Sequence, residues 1–112
     1  MRADEFLVEK IVGTLHVDNI EILVNDHAFD RAKQRGVPHT VIDPVLKKLP
    51  QIYSEMNAIE SGQQFWVYAN VYNISIGFRK YDNEGDTMRI VLNTLIADHP
   101  GDNISSPVLE IR

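Results

Sequence analysis

The sequence contains no cysteine. A disulfide framework, a thiolate metal site and a cysteine nucleophile are all excluded, and stability must come from packing, which suits a reducing, cytoplasmic setting. Long apolar runs are also lacking. Nothing approaches the ~18–20 residues that a membrane-crossing helix needs, and Met1-Arg2-Ala3-Asp4-Glu5 carries acids where a signal peptide carries bases. No membrane partner is expected. Basic charge is scarce: 11 Lys and Arg stand against 16 Asp and Glu, for a formal net charge of −5. That balance argues against a protein that coats nucleic acid through a general basic excess.

What is present is an ordinary globular mixture of 112 residues, 44% hydrophobic and 24% charged, with one Trp, four Tyr and four Phe. Since domains run to roughly 100–150 residues, the length predicts one domain over 1–112. Its charge is uneven. Between His27 and Lys48, the bases Arg31, Lys33, Arg35, Lys47 and Lys48 face only Asp30 and Asp43, a local excess of three positive charges in an otherwise acidic chain.

Apolar spacing at three and four predicts an amphipathic helix over 3–12, stopped by Gly13, and clean alternation predicts a strand over 20–24. Asp26 reads as the N-cap of a helix that begins at His27 and closes at Gly36. Pro38 opens a second helix with Val41, Ile42, Val45, Leu46 and Leu49 as its buried stripe; Pro44 kinks or tightens it, and Pro50 ends it. Beyond Ile52 the segments 51–59, 64–70, 72–79 and 87–96 are rich in Tyr, Val, Ile and Phe and read as strands, with Gly62 and Gly85 in their turns. A short edge strand over 108–111 follows a loop. The expected fold class is α+β, with N-terminal helices packed on a four-stranded antiparallel sheet.

Phosphate-binding glycine loops, metal-binding helix motifs and nucleophile-elbow serines are all missing. The four histidines His16, His27, His39 and His99 have no close ligand spacing, and the acidic turn at Asp82, Glu84 and Asp86 lacks the downstream glutamate of a calcium loop. Neither metal nor other cofactor is expected. His27, Arg31 and Arg35, however, recur every fourth residue and so share one helix face. An imidazole can move a proton at a ribose 2′-hydroxyl or a leaving oxygen, and guanidinium groups can grip a phosphate as charge grows on it. The same row is also what a solvated helix face looks like. Arg79 and Arg89 flank a hairpin and either contact phosphate or form the polar face of a sheet. Trp66, Tyr68, Tyr72 and Tyr53 are either stacking platforms for bases or packing residues.

The run His27-Ala28-Phe29-Asp30-Arg31-Ala32-Lys33-Gln34-Arg35, followed by a turn and an apolar helix, resembles the helix pair of the RegB-type early-mRNA endoribonucleases of T-even phages. Ile76-Gly77-Phe78-Arg79-Lys80, a polar turn, Met88-Arg89-Ile90-Val91-Leu92-Asn93 and Pro100-Gly101 are similar to the final strands of that family, in the same order. The family is similar in fold to the RelE and YoeB toxins. The resemblance implies a RelE/RegB-like fold and metal-independent cleavage of mRNA, in the ribosome-binding region of early transcripts, leaving a 2′,3′-cyclic phosphate. It makes His27 the catalytic histidine and Arg31 a required arginine; the basic row and the hairpin add Arg35, Arg79 and Arg89 as expected RNA contacts. The implied partners are mRNA and the ribosome or a ribosomal protein. The family's second histidine falls on Lys47, which could stabilise phosphate charge instead of shuttling protons. That departure and the acidic net charge keep open a catalytically silent RNA- or protein-binding domain on the same fold; a toxin of a toxin–antitoxin or contact-inhibition system is a third reading.

Overall fold

The computed structural model describes residues 11–101 and 105–112. The helix expected over 3–12 lies outside them as far as residue 10, and residues 11 and 12 already belong to a strand. That strand, β1 (Ile11–Val17), pairs antiparallel with β2 (Ile20–Asn25). Their two-residue turn uses Asp18 at φ 51°, a left-handed conformation that Asp tolerates.

Helix α1 (Ala28–Gln34) follows. Its start differs from the expected one: His27, not Asp26, occupies the N-cap position, and the Oδ1 of Asn25 accepts the His27 backbone N–H at 3.0 Å. Its end is as expected. Gly36 takes φ 73°, its N–H reaches the Lys33 carbonyl, and the Val37 N–H reaches the Ala32 carbonyl, a glycine-closed Schellman motif. Helix α2 (His39–Leu46) contains Pro44, and a 3₁₀ turn (Leu49–Ile52) leads directly into α3 (Tyr53–Asn57).

The strand expected over 51–59 is therefore absent, and residues 51–57 are helical. Pro50 sits at the first turn of the 3₁₀ segment, and Leu49, Ile52 and Met56, spaced by three and four, are the buried residues. That period is helical whatever the intrinsic preference of Tyr53 or Ile59. Lys80 closes α3: its Nζ donates to the carbonyl of Asn57, the last helical residue, at 3.4 Å and to that of Ile59, just past it, at 3.0 Å.

β3 (Gln64–Ala69), β4 (Ile74–Lys80) and β5 (Met88–Ala97) form the expected meander, and β6 (Val108–Ile111) is the expected edge strand. The sheet is nevertheless not four-stranded and antiparallel. It has six strands in the order β1-β2-β5-β4-β3-β6, and two of its pairings, β2 with β5 and β3 with β6, are parallel. The excursion through three short helices between β2 and β3 lets β2 return beside β5, as a parallel pair requires. The molecule is mixed α+β and mostly sheet.

Alternate residues separate the two faces. Ile20, Ile22, Phe65, Val67, Ile74, Ile76, Phe78, Met88, Ile90 and Leu92 join Ala28, Ala32, Val45, Leu46, Leu49 and Met56 in one buried core beneath the helices. Gln64, Trp66, Tyr68, Ser75, Gly77, Arg79, Arg89 and Val91 point to the other face.

Lys80 is the charged exception in the buried set, 4% exposed. Burial lowers its pKa below the ordinary lysine value, and the Asp82 charge partly opposes the shift. The folded state thus holds this proton less tightly than the unfolded chain does. The stability contributed by Lys80 should rise as pH climbs toward the ordinary value and be lost as pH falls through the lowered one. Urea unfolding at neutral and alkaline pH checks this: Lys80→Met should flatten the alkaline rise, and equal slopes for the two proteins would show that Lys80 titrates alike in both states.

Candidate nucleic-acid interface

β4 and β5 are out of step by one residue between Gly77 and Phe78, because Phe78 pairs with Leu92 while Gly77 pairs with Thr94. Asn93 is the extra residue of this bulge. Bulges bend a strand and re-aim its groups; here the Asn93 carbonyl accepts a hydrogen bond from Arg31 Nη1 at 3.1 Å, and its Oδ1 lies 3.4 Å from Asn25 Nδ2. The last β2–β5 pair is Val24 with Leu92. Beyond it β2 gives way to α1, which packs against β5 and brings its basic row to the strand. One turn along, Arg35 Nη1 donates to Thr94 Oγ1 at 2.8 Å.

A cleft of about 430 Å³ opens at this junction. His27 and Arg31 come to it from the start of α1, Gln64 and Trp66 from β3, Gly77 and Arg79 from β4, and Asn93 and Thr94 from β5. Its floor depends on Gly77. A Cβ there would stand 2.8 Å from Thr94 Cγ2 and 3.2 Å from the Trp66 ring, so only glycine lets the indole and the threonine close over the strand.

His27 is 60% exposed, and its Nε2 lies 3.4 Å from Asp26 Oδ1. Arg31 is held by a backbone carbonyl, so its guanidinium is directed before any ligand arrives. The cleft therefore combines a proton-transfer group, two cations and a half-buried aromatic ring. Among the described residues, no group of three or more His, Asp or Glu is placed to hold a metal ion, and no helix is long and apolar enough to cross a membrane.

Three of the six residues singled out from the sequence meet here or beside it through α1 (His27, Arg31 and Arg35), and Arg79 joins them from the sheet. Two do not. Lys47 lies just past α2, exposed and paired with Asp43 one turn back at 3.0 Å, and is not part of the cleft lining. Arg89 donates to Glu21 Oε1 at 3.1 Å across the β2–β5 pair and borders a separate groove with Lys80 and Asp82. Asn25, Gln64, Asn93 and Thr94 were not foreseen, because uncharged residues within strands carry no local signal of a site. Gly77 did carry one: a glycine inside a strand often marks a bulge or a close approach.

No protein-family model, curated protein sequence or solved structure matches the chain.

Proposed function

We propose that the protein is a metal-independent endoribonuclease acting on mRNA in the cytoplasm. The observation that carries this reading is the convergence of His27 and Arg31, from the start of α1, with Arg79, from β4, on one cleft beside Trp66. The volume lies in the range of small-ligand sites, roughly 300–1,000 Å³, which suits one nucleotide and its phosphate.

Arg31 and Arg79 would hold the scissile phosphate and take up charge as it grows on the non-bridging oxygens. His27 would accept the proton of the adjacent 2′-hydroxyl as that oxygen bonds to phosphorus. The bond from phosphorus to the 5′-oxygen then breaks, and the leaving oxygen takes a proton from the imidazolium or from water. The products are a 2′,3′-cyclic phosphate and a 5′-hydroxyl, and no metal enters the balance. Trp66, backed by Gly77, offers a ring face on which an unpaired base can stack. Lys47 has no part in this scheme.

A specific observation also favours binding without cleavage: His27 is the one imidazole among the described residues lining the cleft. The deciding experiment uses end-labelled RNA carrying a purine-rich ribosome-binding site, in EDTA, with and without ribosomes. Discrete fragments ending in cyclic phosphate are expected. Salt-sensitive binding with the RNA left whole under both conditions would transfer the assignment to the binding domain.

A further inference from the structure

Asp26 stands between a capping residue and a proton-transfer group and serves neither conventional purpose. The start of α1 is capped by Asn25, whose Oδ1 takes the His27 backbone N–H, and no side chain caps from the N-cap position itself. The Asp26 side chain keeps 25% exposure, yet its Oδ1 is shielded from solvent and accepts no hydrogen bond. A carboxylate oxygen removed from water and left without a donor is unfavourable. Beside it stands the His27 imidazole, with Nε2 at 3.4 Å.

We infer that Asp26 is a positioning residue, which holds the proton of neutral His27 on Nε2 and so leaves the Nδ1 lone pair as the base. This rests on the reading of His27 as the group that takes the 2′-hydroxyl proton. The two ring nitrogens of a histidine are set by what the other one bonds to. A carboxylate accepts only, so it selects the tautomer that donates to it. When Nδ1 takes the proton, the imidazolium forms beside a fixed negative charge, while Arg31 and Arg79 across the same cleft bear on the phosphate and disfavour a further cation near them. Asp26 offsets that repulsion. At 3.4 Å the contact is not aligned as a hydrogen bond, and it must tighten for the imidazole to donate, as catalytic contacts often do only when substrate is bound.

The test uses the full chain as wild type, Asp26→Ala and Asp26→Glu. The tautomer of neutral His27 is read from imidazole nitrogen chemical shifts with an uncleavable 2′-deoxy analogue of the RNA bound, and cleavage of labelled RNA is followed in EDTA. Wild type should hold His27 almost wholly as the Nε2–H form, and Asp26→Ala should revert to the mixture of free imidazole. Its kcat should fall at least about tenfold, a part of the hundred- to ten-thousand-fold that proton transfer supplies, with KM within about twofold. Asp26→Glu should restore part of the kcat and the tautomer. An identical tautomer mixture in wild type and Asp26→Ala, with both folded by circular dichroism, overturns the inference, as does an equal loss in Asp26→Ala and Asp26→Glu. If wild type leaves the RNA whole, the nuclease reading falls, and the nitrogen shifts still decide whether Asp26 sets the ring.

Discussion

His27→Ala is expected to lose about a hundredfold or more of the RNA cleavage measured in EDTA, within the range of 10² to 10⁴ that general acid–base catalysis contributes. The protein should otherwise remain intact. The imidazole is largely exposed and makes no side-chain cap bond, and the backbone N–H that Asn25 accepts is unchanged by the substitution. Thermal unfolding should therefore move by no more than the small shift of an ordinary surface change, while the rate collapses. Arg35→Ala is the matched comparison, since Arg35 shares the helix row but is tied to Thr94 and lies outside the cleft lining. A His27→Ala protein that cleaves within threefold of wild type, with the same cut sites, would remove His27 from the reaction and end the proposed mechanism.

The largest effect on stability is expected at Phe78. Its ring is 1% exposed and stacks on Phe65 with centroids 5.5 Å apart, in the pair of strands that carries the cleft. Phe78→Ala removes the buried ring and leaves a cavity that flanking strands cannot close, so urea unfolding should show a loss of about 3–5 kcal/mol. Against a typical total of about 5–15 kcal/mol, that is a large share. Because Phe78 sits at the offset that displaces Asn93, the carbonyl held by Arg31 should shift as well. A loss under about 1.5 kcal/mol would mean that the core collapses around the gap and that the bulge is held by something other than this ring.

Where the sequence and the fold agree, the reason is local. The closure of α1 at Gly36 could be read because a left-handed residue after a helical run is best supplied by glycine. The meander of β3, β4 and β5 could be read because alternation, and the glycine-bearing turn at Gly85, are short-range signals. The disagreements come from two sources. At 51–59, residue type outweighed period: Tyr53 and Ile59 suggest a strand, but Leu49, Ile52 and Met56 bury one side of a helix. The parallel pairs have no local signature at all, since Ile22 meets Ile90 and Val67 meets Leu109 only through the path of the whole chain.

The cleft follows the same division. His27, Arg31 and Arg35 announce a helix face by their spacing, and the structure keeps that face together. Which sheet residues it meets depends on where β2 stops and where β5 carries its extra residue, and neither is written in a single segment. Lys47 stands out through the family resemblance, not through geometry, and its partner is Asp43, one turn back in α2.

The parallel joining of β2 to β5 also sets an order of events. Glu21 and Arg89, which bridge the two strands, are 68 positions apart. Closing so long a loop costs entropy before any contact repays it, and folds built on such distant pairings form slowly. Translation makes the first hairpin and all three helices before any of β5. The hairpin must wait without its central neighbour, and His27 waits without the strand that faces it. Until translation has passed Thr94, the nascent chain has every group of the basic row and no cleft in which to use them.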